Sequence, residues 1–227
     1  GGGKTTREEK PVLGLREVDE VQELVDKGEY GSRLHHVLAQ FHVRYPLVSD
    51  LDAAQVQNEL IAISEAAFSD AIASNYLAAA WLLGWKTLIP AYLDWQRERE
   101  AQGWRWHAAE ADGRIEIMTP AGRKLVLKGR IDRVDLRGAE IAIIDYKTSR
   151  SETLRSKLTA PGEDVQLPVY ALLWGGPVAA ALFLALERGG VNAVALEGDV
   201  AGLAEDNRGR LAHIYDALHS GTRLPAQ

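Results

Sequence analysis

The sequence predicts an α/β protein in which a mixed central β-sheet, made of an antiparallel meander and one returning strand, is flanked by helices. Three observations predict this fold class. Apolar residues recur at steps of three and four through the first half of the chain, short β-favouring runs between turn signals follow, and a helix, a strand and a helix close the sequence. Helices on both sides of a run of neighbouring strands indicate a sheet covered on both faces.

The composition excludes several classes of function. The 227 residues include 26 Lys and Arg against 32 Asp and Glu, so the net charge is −6 and a generally basic coat for nucleic acid is excluded, although a local basic groove is not. Because the chain has no Cys, it cannot by itself hold a disulfide, a thiolate zinc site or an iron–sulfur cluster. The longest apolar run, residues 178–186, is much shorter than the roughly 20 residues that a membrane-spanning helix needs.

We expect one domain rather than two. Residues 1–12 are expected to form a flexible leader, because the opening GGGKTT lacks the preceding strand and the full spacing of a phosphate-binding loop. Residues 13–227 then form a single domain with a helical half, 13–102, and a half that holds the sheet and its helices, 103–227. Since the chain begins with Gly rather than Met, we expect it to be excised from a larger protein.

The helices and strands follow from periodicity and turn signals. Amphipathic spacing and capping residues predict helices over residues 31–45, 52–69 and, interrupted near Pro90, 74–101. Alternating β-favouring runs separated by Asp112-Gly113, Pro120-Ala121-Gly122 and Arg137-Gly138 predict strands over 104–110, 114–118, 125–136 and 140–147. A polar loop over 148–163, a helix capped by Asp164 and ending near 174, a strand over 178–187 and a last helix over 200–219 complete the prediction.

One part of the meander has the residues for metal chemistry. Asp145 and Lys147 lie on the same face of a strand, and a turn at Arg137-Gly138 lets Asp132 approach Asp145 from the neighbouring strand. Two carboxylates that converge suit a hard divalent cation such as Mg²⁺, and Lys147 would add a positive charge beside it. The alternative is a surface ion pair between Asp145 and Lys147. The apolar residues around Asp145 argue against it, because burying charged groups without a task is costly.

Five motifs occur in order along the chain: G-x-x-x-H ending at His35, Glu110, GRIDRVD at 129–135, DYKT at 145–148 and QLPVYA at 166–171. Together they resemble the signature of RecB-type nuclease domains in the PD-(D/E)XK superfamily. The resemblance is greatest to the nuclease domain of AddB-like subunits of bacterial helicase–nuclease complexes. It spans about residues 31–171 and implies a restriction-endonuclease-like fold.

The resemblance also implies roles for individual residues. Metal ligands would be Asp132, Asp145, His35 and the carbonyl of Tyr146, with Glu110 near the metal; Lys147 would be the catalytic lysine, and Gln166 and Tyr170 would share a helical face toward the site. From the residues alone, His35 could be a packed core histidine, and Gln166 and Tyr170 could be ordinary helix packing. His36 is expected to face solvent, since it lies about 100° further around the helix.

Basic residues in the predicted loop are candidates for contact with DNA. We expect Arg150, Arg155 and Lys157 to follow the DNA backbone, the alternative being that they are solvated surface charges. Arg133 and Asp135 could pair with each other across the hairpin. The remaining histidines, His42 among them, match no motif and are interpreted as structural.

The function implied by the resemblance is a Mg²⁺- or Mn²⁺-dependent deoxyribonuclease, exonucleolytic on single-stranded DNA, in bacterial, cytoplasmic double-strand break repair. Its partners would be DNA and a helicase motor or a partner subunit of a helicase–nuclease complex, with no membrane. Two alternatives stay open: a catalytically silent DNA-binding module with the nuclease fold, and a metal-dependent hydrolase of another phosphoester. Many such nucleases carry an iron–sulfur cluster on four Cys; this chain has none, so it is a cluster-free relative or a trimmed one.

Overall fold

The computed structural model describes residues 14–159 and 165–221, with side chains from residue 28 onward. In this part of the chain the helices are α1 (Gly14–Arg44), α2 (Ala53–Ser74), α3 (Tyr76–Ala101), α4 (Ser151–Thr159), α5 (Gln166–Trp174) and α6 (Val200–His219). The strands are β1 (Arg105–Met118), β2 (Lys124–Arg137), β3 (Glu140–Lys147), β4 (Ala180–Glu187) and β5 (Gly190–Ala195). The predicted leader, residues 1–12, and the predicted Asp164 cap lie outside the described residues.

The strands form one sheet in the order β1-β2-β3-β4-β5, antiparallel except between β3 and β4. Parallel neighbours need a crossover, and α4 and α5 supply it on the way from β3 to β4. One apolar cluster packs α1, α2 and α3 against Ile144, Leu182 and Leu184 on one face of the sheet. A second packs α4, α5 and α6 against Ile143 and Phe183 on the other. The architecture confirms the predicted mixed sheet flanked by helices.

The helical half is more continuous than predicted. Helix α1 begins at Gly14 rather than near Gly31, in line with an apolar spacing that already starts at Leu15 and Val18. Helix α3 runs through Pro90 without an interruption. Pro90 is exposed while its neighbour Ile89 is fully buried, so packing of the inner face offsets a backbone penalty of roughly 3 kcal/mol.

The predicted turn at Asp112-Gly113 is wrong, because β1 is a single strand that pairs Gly113 with Gly129. Gly113 is needed for close approach rather than for a turn. A Cβ placed there would lie 2.7 Å from Leu173 Cβ of α5 and 3.0 Å from the Leu173 carbonyl oxygen. Sequence alone does not distinguish these two uses of glycine.

Two elements in the second half were not predicted. Residues 151–159 of the expected loop form α4, whose Leu154 is 2% exposed and packs in the second apolar cluster. Strand β5 pairs antiparallel with β4 after a turn in which Gly189 has a φ of 106°. Helix α4 is short and mostly polar, and β5 has only six residues, so the periodicity of each was too weak to predict it. In the part of the chain that the structure describes, no helix has the length and apolar character to cross a membrane.

Candidate active site

The candidate site lies where β2 and β3 stop pairing. Backbone pairing between them ends at Arg133 and Ile144, while β3 remains paired with β4 as far as Lys147. Continuing the register by one step sets Asp132 opposite Asp145. The amide of Tyr146 donates to Asp132 Oδ2 at 3.0 Å, so a side chain takes the place of a strand partner. This arrangement brings two carboxylates to the same strand end.

The regular alternation of β2 side chains between the two faces of the sheet is interrupted next to Asp132. Ile131 packs in the cluster formed with α5, whereas Arg133, two residues on, lies among side chains of α1 and α3. Residues two apart in a regular strand share a face, so the strand changes the phase of its alternation between residues 131 and 133. On β1 the flanking pairs place Glu110 opposite Asp132, and Glu110 has a φ of 47°, which is uncommon for a residue other than glycine. Strain of this kind clusters at functional sites.

Helix α1 places His35 at the site. Its Nδ1 lies 3.3 Å from Asp132 Oδ1, and its Nε2 donates to the carbonyl oxygen of Tyr146 at 2.9 Å, a tautomer assigned from these partners. Burial disfavours the charged imidazolium, but the hydrogen bond and charge of Asp132 outweigh burial, so the pKa of His35 is raised above its ordinary value. The neighbouring His36 is exposed and contacts Gln40 instead, at 2.8 Å. The two adjacent histidines are therefore in different environments.

Helix α5 completes the other side of the site. Lys147 Nζ lies 2.6 Å from Asp145 Oδ2 and donates to Gln166 Oε1 at 2.8 Å. The amide of Gln166 in turn donates to Asp145 Oδ1 at 2.9 Å and to the Tyr170 hydroxyl at 2.8 Å. Burial raises the pKa of Tyr170 to about 12, so its hydroxyl stays protonated near neutral pH. Gln166 thus holds the carboxylate and the ammonium group in a fixed relation.

Asp145 is the most perturbed acid of the site. Its side chain is 1% exposed, and burial, followed by the charge of Asp132, raises its pKa to about 6, although Lys147 acts in the opposite direction. Two carboxylates that repel each other in a buried place have the electrostatics that a divalent cation would relieve.

The donors present fit such a cation. Asp132, Asp145 and the carbonyl of Tyr146 offer oxygen, which Mg²⁺ prefers, and His35 adds an imidazole nitrogen that Mn²⁺ accepts readily. Within residues 14–159 and 165–221, no three His, Asp or Glu side chains already stand grouped as a metal cage. The donors instead pair with one another, so a bound ion would draw on the main-chain carbonyl and on water to complete its shell.

The other predicted residues lie on β1 and at or just before α4. Glu110 is exposed on β1. Arg150 precedes α4, and Arg155 and Lys157 are exposed on α4, so these cations are carried by a helix rather than by the predicted loop. Whether they contact DNA stays a prediction.

A buried polar network beside the site was missed from the sequence. Arg133 and Asp135, both on β2, pair along the strand rather than across the hairpin, at 2.7 Å. The network also includes His42, Tyr92, Gln96, Arg99 and Glu100. Polar side chains at Tyr92, Gln96 and Arg99, three and four apart on α3, were the available signal, because they share one helical face.

Two carboxylates and a lysine that meet at the edge of a central strand place the chain among α/β proteins with a candidate metal-binding active site. Comparison with known proteins identifies the family. The model of the PD-(D/E)XK nuclease superfamily matches residues 10–223. The chain belongs to this superfamily.

Individual relatives are more distant. An uncharacterised protein of Rickettsia felis is 27% identical over 146 residues, and one of Rickettsia conorii is 25% identical over 147. Each alignment covers 63% of this chain and 17% of the relative, so the chain spans less than a fifth of the length of the curated relatives it matches. A solved structure named SSO0001 is 19% identical, with 72% of this chain and 73% of that chain covered and a TM-score of 0.34, too low a likeness to bear on function.

Proposed function

We propose that this chain is the nuclease domain of a larger protein and hydrolyses phosphodiester bonds in DNA with the help of Mg²⁺ or Mn²⁺. The observation that carries the proposal is the convergence of Asp132, Asp145 and Lys147 at one strand end in a member of a nuclease superfamily. Perturbed titratable groups with a specific charge partner are typical of catalytic sites.

In this proposal the metal would be held by Asp132, Asp145, His35 and the Tyr146 carbonyl, with Glu110 as a further candidate. When bound, such an ion polarises a phosphoryl oxygen and lowers the pKa of a coordinated water. The chain's own side chains would do the rest. Lys147 would offset phosphate charge and orient the attacking water, and Gln166 would keep Lys147 in place through its 2.8 Å contact.

Nucleic acid is the substrate class that the surface favours. The chain is negative overall, at −6, yet exposed cations lie on both sides of the site in sequence. Arg155 and Lys157 follow β3 on α4, while Lys128 and Arg130 precede Asp132 on β2 and line an open groove. A polyanion passing the site would meet these groups, and phosphate contacts supply most non-specific affinity.

The finer role is also a proposal. We infer an AddB-like domain that acts on single-stranded DNA as an exonuclease, supplied by a helicase motor or partner subunit during double-strand break repair in the cytoplasm. The five ordered motifs support this, and alignment to 17% of much longer relatives accords with a domain of a larger protein.

The test is cleavage of end-labelled single- and double-stranded DNA in Mg²⁺, Mn²⁺ or EDTA. Wild type should cleave in either metal and not in EDTA, and Lys147→Ala should lower the rate at least about 100-fold, within the range for loss of a group that stabilises charge in the transition state. DNA affinity should change little. Lys86→Ala is the matched control, because Lys86 lies on α3 and pairs with Glu65 at 2.7 Å.

Each alternative has its own outcome. DNA binding without cleavage in any metal would indicate a catalytically silent module, and cleavage of small phosphodiesters alone would indicate a different hydrolase. Cleavage by Lys147→Ala at the wild-type rate would place the active site elsewhere.

A further inference from the structure

Arg133 is the centre of a buried polar network that lies between β2, α1 and α3. Its side chain is 1% exposed, although guanidinium groups are rarely buried without partners. Its nitrogens contact Asp135 Oδ1 (2.7 Å) and Oδ2 (3.0 Å), Gln96 Oε1 (2.8 Å), His42 Nε2 and the Tyr92 hydroxyl (both 3.2 Å) and the Tyr146 hydroxyl (3.3 Å). Arg133 is therefore bound to three other elements.

The charges of this network balance. Arg99 bonds to Asp135, and the carboxylate of Glu100 accepts from Gln96 at 2.7 Å and from the amides of Val48 and Ser49. Both guanidinium groups contact Asp135 and Glu100 is held by amide groups, so the network contains two positive and two negative side chains. Burial, helped by the charge of Arg133, holds the pKa of His42 well below its usual value, so His42 adds no further charge. Arg99 Nη2 is buried without a hydrogen-bond partner among the described residues, so the network is not fully satisfied, but Arg133 itself is held by six hydrogen bonds.

Tyr146 links the network to the active site. Its ring is 3% exposed on the side of α1 and α3, where its hydroxyl meets Arg133 and, at 3.3 Å, the Tyr92 hydroxyl. Its main chain belongs to the site: the amide donates to Asp132, and the carbonyl accepts from His35. The Tyr146 side chain therefore connects the network to a peptide that contacts both groups.

Stability alone explains the network poorly. Buried ion pairs can often be replaced by apolar side chains of similar volume with no loss of stability. Position offers a better reason, because β2 no longer pairs with β3 at Tyr146, so β4 holds β3 from one side only and side chains hold the Tyr146 peptide on the other.

We propose that Arg133 is a positioning residue for the metal site and acts through the Tyr146 hydroxyl; this inference rests on the function proposed above. The network holds Tyr146 from the helical side, and this fixes the carbonyl and amide that face Asp132 and His35. Outer groups that orient metal ligands commonly contribute 10- to 100-fold to metal affinity.

Tyr146→Phe tests the proposal, because it removes one buried hydroxyl and keeps the ring and its packing. Ser64→Ala is the matched control: Ser64 is also fully buried beside α3 and accepts from Trp85 Nε1 at 2.8 Å, but it lies outside the network. Three quantities would be measured for both: Mn²⁺ affinity by calorimetry, melting temperature in EDTA, and hydrogen exchange of the residue 146 amide in EDTA. Arg133→Met, which removes every contact, is a second variant.

We expect both single-hydroxyl variants to lose a similar few degrees of melting temperature. Only Tyr146→Phe should bind Mn²⁺ about tenfold more weakly and exchange its amide faster than wild type, with a larger loss of affinity in Arg133→Met if it folds. Wild-type affinity and exchange in Tyr146→Phe, or an equal loss of affinity in Ser64→Ala, would overturn the inference and leave the nuclease function standing. A wild type that binds no Mn²⁺ would overturn both.

Discussion

Among single residues, Asp145 shows how the site opposes stability. Its carboxylate is buried beside that of Asp132, and its pKa is raised to about 6 in spite of the nearby ammonium group of Lys147. Holding two charged acids close together in a buried place costs free energy in the metal-free protein. A site arranged for a divalent cation is expected to have this cost.

The metal-free protein should therefore be stabilised by Asp145→Asn near neutral pH. Because the folded-state pKa lies above the ordinary 3.8, the folded protein holds this proton more tightly, and its stability falls as pH rises from about 4 to about 6. The Asn variant resembles the protonated state, so we expect it to be about 2 kcal/mol more stable at about pH 7.5 and equal to wild type at about pH 4.

Urea unfolding in EDTA at the two pH values measures this difference. Asp94→Asn is the control, since Asp94 is an exposed residue of α3 whose carboxylate lies 3.5 Å from Arg97, and its effect should be small at both pH values. Lower stability of Asp145→Asn than of wild type at about pH 7.5 would contradict the electrostatic reading of the site.

Among the elements, the contact between α5 and the β1–β2 hairpin controls how Gln166 and Tyr170 reach the site. The helix crosses the hairpin at Gly113 and Gly129, where no side chain intervenes. At Gly129 an added Cβ would meet the mobile tip of Leu173, at 2.7 Å, whereas at Gly113 it would meet the Cβ and the main chain of Leu173. Only the contact at Gly113 leaves the helix no room to adapt, because it involves the main chain of Leu173.

Gly113→Ala should therefore destabilise the protein by about 1–3 kcal/mol, the usual cost of overpacking. Gly84→Ala on α3 is the control, and its effect on stability should have the opposite sign, because nothing lies within 4 Å of the Cβ position of residue 84. In that exposed helix interior Ala should stabilise by about 0.5–1 kcal/mol. Thermal and urea unfolding of both variants provides the measurement, and equal stability of Gly113→Ala and wild type would mean that α5 does not pack as described.

For the whole molecule, the distribution of charge matters more than its total. The chain carries −6, so the nucleic-acid binding proposed above would depend on a local group of cations rather than on the average field. Arg150, Arg155 and Lys157 are such a group, at and just before α4.

Changing these three residues to Gln should weaken DNA binding for every sequence and lower the salt dependence by up to about one unit of slope per lost contact. A control variant with Gln at Arg44, Lys86 and Arg137 removes the same charge from the far ends of α1 and β2 and from α3. Binding isotherms across a salt series measure the slope. If both triple variants gave the same slope, the α4 cations would be ordinary surface charges.

The sequence by itself determined the fold class and most helices and strands, and it predicted the residue types of the candidate site. It could do so because local periodicity reports which face of an element is buried, and because Asp145 and Lys147 are two apart on one strand. The superfamily also followed from ordered motifs, each with its own local spacing.

Tertiary structure alone decided the rest. Pro90 stays within α3 because its neighbours are packed, Gly113 is needed because α5 crosses there, and the short elements α4 and β5 pack or pair against neighbouring elements. The meeting of His35 with the Tyr146 carbonyl joins residues 111 positions apart, and the Arg133 network joins α1, α3, β2 and β3. Contacts of this range depend on how whole elements pack, and no local pattern in the chain encodes them.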